Sequence, residues 1–328
     1  MGTIHAICIS DIRGIQKSEV SSIELRPNHG LVGDAHAGNW HRQVSLLSYE
    51  KIQAFREKGA DVAFGAFGEN LVVEGFDFAS LPIGSLFRCG KVLLELSQIG
   101  KECHSHCAIY QVMGDCIMPR EGVFARVLEG GTLRVGDELL LEERQTPLPF
   151  QAAVITLSDK GAAGERKDES GPLIASRLRA EGYEVVEELL LPDNAALLKK
   201  HLIRLADQRQ LDLILTTGGT GFAPTDVTPE ATLAVADRLA PGISEAIRAA
   251  SLAITPRAML SRGVSVIRKK SLIVNLAGSP KAVSESMDVF LSVLPHALEL
   301  LRGQKADCAR KDLTASTTHS NFLKKGYL

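Results

Sequence analysis

The sequence has little of the residue types that mark nucleic-acid-binding, disulfide-rich or membrane proteins. Its 328 residues contain 37 lysines and arginines against 39 aspartates and glutamates, which gives a formal net charge of −2. A near-balanced charge argues against broad nucleic-acid binding, which requires a basic face. The six cysteines are too few and too irregularly spaced for a disulfide framework. We therefore expect a reducing, cytoplasmic setting and no nucleic-acid partner.

Long apolar runs are also absent. No segment approaches the length of a membrane-spanning helix, and the first residues do not combine a basic leader with an apolar core. We therefore expect no membrane association. The hydrophobic share of 45% and the charged share of 23% are those of an ordinary globular protein. A chain of 328 residues exceeds the usual size of a single core, so the length favours two domains.

The pattern of predicted elements changes about halfway along the chain. Residues 1–141 hold short β-like runs separated by glycines, with one helix candidate near 47–58, and predict a mainly β, barrel-like domain. Residues 142–150 are charged and contain prolines, as expected of a linker. From 151 to 303 strands alternate with helices, which predicts an α/β domain with a mostly parallel sheet and helices on both faces. The polar, aperiodic residues 304–328 are expected to form a mobile tail.

The most informative segment is Thr216-Thr217-Gly218-Gly219-Thr220-Gly221, which follows a short apolar run. Glycines adopt positive φ angles and let the backbone approach a ligand, so successive N–H groups and threonine hydroxyls can surround a phosphate. Asp226 adds a carboxylate of the kind that magnesium accepts beside substrate phosphates. Thr228 is predicted to cap the next helix, with Pro229 at its first position. No Gly-Lys-Ser/Thr follows, so this is not a P-loop, and an ordinary strand–turn–helix connection is the alternative.

Further motifs accompany this loop in a fixed order along residues 151–303. They are Thr156-Leu157-Ser158-Asp159, Asp168-Glu169-Ser170-Gly171-Pro172, Pro192-Asp193, Asp226-Val227-Thr228-Pro229-Glu230-Ala231-Thr232, Leu260-Ser261-Arg262 and Asn275-Leu276-Ala277-Gly278-Ser279-Pro280-Lys281. With this set the segment resembles the MogA/MoaB-like molybdopterin adenylyltransferase family. One departure is Ala277, which stands where the family has proline; the change removes no functional group.

The resemblance implies transfer of AMP from ATP to molybdopterin, with release of pyrophosphate. It implies that Asp193 and Asp226 are the catalytic aspartates and hold Mg²⁺ or orient the nucleotide phosphates. The remaining implied substrate- and nucleotide-binding residues are Ser158, Asp159, Thr216, Thr217, Gly218, Gly219, Thr220, Gly221, Thr225, Ser261, Asn275, Gly278 and Lys281. Taken one by one, several have ordinary alternatives. Asp193 can cap the helix that starts near Asn194, and Lys281 can be a solvated side chain.

The first half of the chain resembles a second family, the MOSC domain. The resemblance rests on Gly33-Asp34-Ala35-His36, Phe67-Gly68-Glu69-Asn70-Leu71, Ser97-Gln98-Ile99-Gly100-Lys101-Glu102-Cys103 and Gly136-Asp137. It implies a barrel-like fold and a role in carrying sulfur or in binding the molybdenum cofactor. Cys103 falls on the characteristic cysteine of that family, and His36, Asn70, Arg120 and Arg126 are the other candidate residues of this site. An arginine at 120 or 126 can equally be part of a surface ion pair.

Three interpretations are open for the cluster Cys103-His104-Ser105-His106-Cys107. Two thiols and two imidazoles could bind zinc, although neighbouring residues of a strand alternate in direction. The cysteines could be buried and inert. Alternatively, a partly exposed Cys103 acts as a thiolate, a persulfide carrier or a cofactor ligand, because Lys101 and the nearby histidines would lower its pKa.

Two classes of function follow. The first is a nucleotidyltransferase whose MOSC module binds or sulfurates the product, with a molybdenum-insertion protein and a sulfur-donor protein as partners. The second is a carrier that binds molybdopterin or the finished cofactor without turning over ATP. The resemblance also implies a homotrimer. Intact positions 193 and 226 and an intact glycine loop favour the enzyme.

Overall fold

The structure is a computed structural model that describes residues 1–101 and 108–303. The cluster at residues 103–107, with Cys103, and the predicted mobile tail at 304–328 lie outside the described residues. The described part divides into a β-rich half and an α/β half, as the sequence predicts.

The first half is built mainly from short strands. These are β1 (Gly2–Ile9), β2 (Ser18–Val20), β3 (Ser22–Arg26), β4 (Gly30–Leu31), β5 (Val44–Ser48), β6 (Leu71–Glu74), β7 (Leu86–Cys89), β8 (Val92–Ile99), β9 (Val123–Glu129), β10 (Gly131–Arg134) and β11 (Glu138–Glu142). Its helices are α1 (Tyr49–Glu57), α2 (Ala108–Met113) and α3 (Met118–Glu121), with one turn of 3₁₀ helix at Phe78–Ser80. The helix expected near 47–58 is α1.

These strands close into a barrel. The order β11-β7-β8-β9-β5-β6-β1 is completed by pairing of β1 with β11, and β2 extends from β1. Strands β10, β3 and β4 form a separate three-stranded sheet. Alternating side chains fill the interior, where Ile4, Leu46, Phe87 and Leu94 are fully buried. The prediction of a barrel-like domain is therefore confirmed. Closure of the barrel buries one face of each strand and leaves few strand edges exposed.

The second half begins at Gln151, after eight residues without a strand or helix in this described part of the chain. Its strands are β12 (Gln151–Leu157), β13 (Glu184–Leu191), β14 (Leu213–Thr217), β15 (Arg238–Leu239), β16 (Ser265–Arg268) and β17 (Ser271–Leu276). Its helices are α4 (Asp159–Ala162), α5 (Ser170–Ala180), α6 (Ala195–Ile203), α7 (Thr228–Leu233), α8 (Pro241–Leu252), α9 (Pro280–Phe290) and α10 (Leu294–Arg302). A π-helical turn covers Arg204–Gln208, and 3₁₀ turns cover Pro256–Leu260 and Leu291–Val293.

The six strands form one sheet in the order β13-β12-β14-β17-β16-β15. The first four are parallel, and β16 and β15 run antiparallel at one edge. One face of the sheet packs on α5, α9 and α10, and the other packs on α6 and α7. Helices on both faces confirm the predicted α/β class. The carboxyl ends of β12, β13, β14 and β17 meet at one edge, where open α/β sheets bind ligands.

Candidate active site

The loop after β14 has the geometry that the glycines predict. Gly218 and Gly219 have φ angles of +96° and +62°. A Cβ at Gly218 would lie 2.3 Å from the carbonyl oxygen of Leu157, and one at Gly219 would lie 2.5 Å from Oγ1 of Thr228. Only glycine fits at these two points, and the loop is thereby held against the end of β12 and the start of α7.

Thr228 has a different role from the one expected. Its hydroxyl donates to the carbonyl oxygen of Gly218 over 2.9 Å, and Val227, with no side-chain bond, is the residue that precedes α7. The prediction of Thr228 as a side-chain helix cap is therefore wrong. The hydroxyl closes the glycine loop because a backbone carbonyl of that loop faces it at close range.

Asp193 and Asp159 are joined by reciprocal hydrogen bonds. The amide of Asp159 donates to Oδ2 of Asp193 over 3.1 Å, and the amide of Asp193 donates to Oδ1 of Asp159 over 2.9 Å. Oδ1 of Asp193 lies 3.2 Å from the position that a Cβ on Gly219 would take. Burial raises the pKa of Asp193 above its usual value, the amide of Asp159 opposes that rise, and the charges of Asp159 and Asp226 add to it. Three carboxylates are thus crowded beside the loop, an arrangement that a cation would stabilise.

Asp226 lies beside Gly221, at the end of the same loop. Its Oδ2 accepts from the amide of Ala223 over 2.9 Å and is 2.9 Å from where a Cβ on Gly221 would be. Arg262 stabilises the loop between Gly221 and Asp226. Its guanidinium donates to the backbone oxygens of these two residues, each over 2.6 Å, and forms an ion pair with Glu230. The sequence analysis does not include Arg262 among the predicted site residues. Its position next to Ser261, in a motif shared with the family, is the signal that could have identified it.

A cavity of about 320 Å³ opens beside Thr217 and Gly218 of the loop. Of the predicted residues, Ser158, Thr217, Gly218 and Gly278 line it. The remaining lining residues that bear on chemistry are Thr156, Arg166, Lys167, Asp168, Glu169, Ser170 and Ser279. Arg166 and Lys167 supply positive charge to this wall, and no sequence motif singled them out. The cavity wall therefore combines two cations with the carboxylates of Asp168 and Glu169, whereas Asp159, Asp193 and Asp226 are not among its lining residues.

Asp168 organises the floor of this cavity. Its Oδ1 accepts from the amides of Ser170 and Gly171, each over 3.0 Å, at the start of α5. Its Oδ2 accepts from the hydroxyl of Thr156 over 2.7 Å, and Ser170 donates to the carbonyl oxygen of Gly278 over 2.9 Å. These bonds connect the ends of β12 and β17 through α5, so the floor is held by groups that are already satisfied.

Several predicted substrate residues lie beneath the loop or away from the cavity. Asn275 is buried and donates to the hydroxyls of Thr216 (2.9 Å) and Thr232 (3.0 Å). Thr216 and Thr220 are buried as well. The side chain of Lys281 is 83% exposed and lies 3.9 Å from Glu285, so it is a solvated residue at the start of α9. Thr225 and Ser261 are not among the residues that line the cavity.

The side chains available as ligands can be compared with the predicted magnesium site. Within residues 1–101 and 108–303, no group of three or more His, Cys, Asp and Glu side chains is arranged to hold a metal ion. Magnesium is commonly bound by one or two carboxylates together with substrate phosphates and water. Asp193 and Asp226, which lie beside Gly219 and Gly221 of the loop, fit that mode, whereas a complete protein cage of the zinc or calcium type is not formed by the described residues.

In the barrel, Asn70 and Asp34 belong to one buried network. Lys17 donates to Oδ2 of Asp34 over 2.7 Å, and Nδ2 of Asn70 donates to the same oxygen over 2.9 Å and to the carbonyl oxygen of Cys8 over 3.1 Å. Burial alone would raise the pKa of Asp34, but the hydrogen bond and charge of Lys17, with the bonds from His36 and Asn70, hold it below its usual value. The carboxylate is therefore ionised and fixed in place.

His36 lies at the edge of this network. Its amide donates to Oδ1 of Asp34 over 2.9 Å, but its ring Nδ1, 3.5 Å from that oxygen, has no hydrogen-bond partner in the described chain. Burial and the charge of Lys17 lower the pKa of His36, so the ring is neutral at pH 7. The charge of Lys101 contributes to the same lowering of the His36 pKa.

The two candidate arginines of the barrel are not part of the network formed by Asp34 and Asn70. Arg120 forms a two-bond pair with Asp115 at the surface (2.9 and 2.8 Å). Arg126 on β9 pairs with Glu95 on β8. No bond among the described residues connects either arginine to the network of Asp34 and Asn70. The structure therefore brings together His36 and Asn70, while Cys103 lies outside the described residues.

Comparison with known proteins covers both halves. Residues 153–296 match the family described as "Probable molybdopterin binding domain", and residues 33–140 match the MOSC domain. The molybdopterin adenylyltransferase of Escherichia coli K12 is 39% identical over 182 residues, which are 51% of this chain and 92% of that protein. The one from Haemophilus influenzae is 40% identical over 172 residues, 48% of this chain and 87% of that protein.

Solved structures match the second half. A crystal structure of the molybdopterin biosynthesis enzyme MoaB from Thermus thermophilus is 48% identical, covers 47% of this chain and 98% of its own, and has a TM-score of 0.46. In the described part of the present chain, every helix is too short or too polar to cross a membrane.

Proposed function

Because the chain belongs to the molybdopterin adenylyltransferase family and carries a MOSC domain before that unit, we propose that it transfers AMP from ATP to molybdopterin. The phosphate oxygen of molybdopterin forms a bond to the α-phosphorus of ATP. The bond between that phosphorus and the oxygen of the β-phosphate breaks, and pyrophosphate leaves. The observation that carries the proposal is the meeting of a cavity lined by Arg166 and Lys167, a glycine loop and two aspartates at one edge of the sheet.

Arg166 and Lys167 suit the pterin phosphate. They attract an anionic group to the cavity, and the hydroxyl of Ser158 can donate to its oxygens, whereas the hydroxyl of Thr217 donates to the carbonyl oxygen of Ala277 over 2.6 Å. Gly218, with its positive φ angle, brings the loop backbone to the wall of the same cavity. Because phosphoryl transfer needs mainly positioning and charge neutralisation, no side-chain nucleophile is required.

The aspartates suit the nucleotide side of the reaction. Asp193 and Asp226 would hold Mg²⁺, and when bound this ion neutralises charge on the triphosphate. Asp159 fixes Asp193 through the paired backbone bonds, so the carboxylate keeps one orientation. Asn275 and Thr216 act from below the loop as positioning residues, since their polar groups are bonded to each other.

The test is direct. Purified protein is incubated with molybdopterin, ATP and Mg²⁺, and adenylylated molybdopterin and pyrophosphate are followed by chromatography. We expect product from the wild type, none from Asp226→Ala, and normal product from Asp288→Ala, which changes an exposed aspartate of the same domain. Full activity of Asp226→Ala would refute the assignment. Tight pterin binding without product would identify a carrier instead.

For the barrel we propose that it binds or sulfurates the molybdenum cofactor. The support is the ionised Asp34 held by Lys17 and Asn70, beside a neutral His36 with an unpartnered ring nitrogen. Cys103 would be the sulfur carrier or the cofactor ligand, with a sulfur-donor protein and a molybdenum-insertion protein as partners. Molybdenum and zinc measured on the purified protein and on Cys103→Ser test this. Loss of molybdenum alone supports the cofactor role, whereas loss of zinc would support a zinc site.

We also propose a homotrimer. Helix α8 has no fully buried residue, although it is amphipathic. Near its end, Ile254 is 56% exposed and Met259 is 63% exposed, and Leu252 and Leu260 are exposed beside them. An apolar surface of this kind is typical of an interface between subunits.

A further inference from the structure

A second cavity, also of about 320 Å³, lies where the two domains meet. The barrel contributes Trp40, Glu95 and Arg126, and the α/β domain contributes Glu184 and Arg209. The domains also touch through the amide of Ile83, which donates to Gln210 over 3.3 Å. Both halves therefore form the walls of this cavity.

The cavity lies at the opposite end of the sheet from the glycine loop. Gln151 and Glu184, the first residues of β12 and β13, line it. Strand β12 runs seven residues from there to Leu157, which lines the first cavity. At about 3.3 Å per residue the two cavities are roughly 20 Å apart. A ligand here occupies a place distinct from the proposed adenylylation site.

Arg209 is the unusual residue of this cavity. It is only 6% exposed, yet its side chain makes no hydrogen bond to any residue in the described ranges, and its Nε is buried without a partner. The nearest carboxylate oxygen, on Glu187, is 3.8 Å from Nη1. Glu187 is itself bonded to both terminal nitrogens of Arg204. Burial lowers the pKa of Arg209 to about 10, which leaves the guanidinium charged at neutral pH.

The carboxylates near Arg209 already accept hydrogen bonds from other residues. Glu95 accepts from both Arg126 and Arg144. Glu184 accepts from the side-chain amide of Gln151 over 2.8 Å. With Arg209 itself, four arginines (Arg126, Arg144, Arg204 and Arg209) share three carboxylates (Glu95, Glu184 and Glu187). A charged guanidinium buried without hydrogen bonds is costly.

We propose that this junction cavity binds a tetrahedral oxyanion, either free or as the phosphate group of a small molecule, with Arg209 as the principal contact. The planar guanidinium presents five N–H donors in a fork that matches the spacing of two oxyanion oxygens. Arg126 supplies a second cation from the barrel wall. Trp40 offers an aromatic surface for the organic part of a phosphate monoester. An anion held between Arg209 and Arg126 would couple the two domains.

The chain offers a local reporter for this site. Trp40 lines the cavity and is the single tryptophan of the sequence. Tryptophan fluorescence, excited at a wavelength that tyrosine does not absorb, therefore reports on this cavity. Inorganic phosphate is titrated into the full chain, with sodium chloride balancing the ionic strength. Phenyl phosphate is titrated in parallel. Saturation by both supports a site for the oxyanion itself, and saturation by phenyl phosphate alone indicates a phosphate monoester.

Variants decide whether Arg209 carries the binding. We expect Arg209→Gln to weaken the response about tenfold or more, because a charge-assisted contact is lost, and Arg209→Lys to keep part of it. Arg126→Gln, at a more exposed position, should weaken binding too, and it serves if Arg209→Gln is unfolded by circular dichroism. Arg88→Gln, on the barrel but outside the cavity lining, is the matched control and should bind as the wild type does. No saturable response in the wild type, or unchanged binding in both cavity variants, overturns the proposal.

Discussion

Asp193 shows how far the sequence reaches at the scale of single residues. Asp193 and Asn194 both precede α6, and either side chain can cap a helix. In the structure Asn194 caps, by accepting from the amide of Leu197 over 2.9 Å. The carboxylate of Asp193 is left to face the glycine loop. The motif predicts that Asp193 belongs to the site, but it does not predict which of the two residues caps the helix.

Asp193→Asn should separate the charge from the shape of this residue. The amide oxygen can still accept from the amide of Asp159, whereas the negative charge that would bind Mg²⁺ is gone. We expect adenylylation to fall about 100-fold, the scale typical of losing one electrostatic group of an active site. The melting temperature should stay the same or rise slightly, because repulsion from Asp159 and Asp226 is relieved. Product chromatography and thermal unfolding measure the two effects, and an unchanged rate would contradict the proposed role.

His41 predicts a pH dependence of stability. Burial, followed by the charge of Arg209, lowers the pKa of His41 to about 4, from its ordinary value of 6.5. The unfolded chain therefore takes up this proton at higher pH than the folded chain. Its contribution to stability is complete above pH 6.5 and is lost as the pH falls from 6.5 toward 4.

The size of this effect is about 2 kcal/mol, after allowance for the partial exposure of the ring. His41→Gln removes the titrating group at the same position, next to Gln98. Urea unfolding of wild type and variant between about pH 4 and pH 7 measures the difference. We expect the free energy of unfolding of the wild type to fall more steeply with acid than that of the variant. Parallel curves would show that His41 titrates normally in the folded protein.

At the scale of elements, the glycine loop and the helices were readable because local rules fix them. Positive φ angles demand glycine at two points of the loop, and periodic leucines such as Leu198 and Leu202 mark α6. The partner of Thr228 was not readable in this way. Its bond to Gly218 joins residues that are ten apart, and it depends on how the loop folds back onto α7.

Gly219→Ala tests the loop as a unit. A Cβ there would meet the hydroxyl of Thr228 at 2.5 Å, and the φ angle of +62° is unfavourable for alanine. We expect a loss of about 1–3 kcal/mol in the free energy of unfolding, measured in urea, together with loss of adenylylation. Gly242→Ala, on α8, is the matched control, because nothing lies within 4 Å of its Cβ position. That variant should be as stable as the wild type or slightly more so. Equal stability of the two variants would contradict the strained loop.

At the scale of the molecule, the order of domains was predictable and their contact was not. Composition and periodicity change near residue 150, where the pattern of glycine-separated strands gives way to alternating strands and helices. The junction is made by isolated residues, such as Ile83 with Gln210 and Trp40 near Arg209, which belong to no local pattern. Pairing between distant parts of a chain depends on the folded arrangement of both.

Met259→Glu tests the proposed trimer. A charge in the apolar surface after α8 should oppose association, because it would be buried without a partner at the interface. Size-exclusion chromatography with light scattering should show a trimer for the wild type and smaller species for the variant. Val112→Glu changes an exposed apolar residue of the barrel, which is 82% exposed, and should leave the mass unchanged. A wild type that is already monomeric, or a variant with wild-type mass, would rule out this interface.

The closure of the barrel also bears on how the chain is made. Gly2 on β1 pairs with Leu139 on β11, so the ring is completed by residues that leave the ribosome at opposite ends of the first domain. Until β11 has emerged, the nascent chain exposes the unpaired edges of β1 and β7. Pairing over so long a separation is slow compared with local helix formation. We therefore expect the first domain to need protection from aggregation during synthesis, and the second domain to emerge after the ring is able to close.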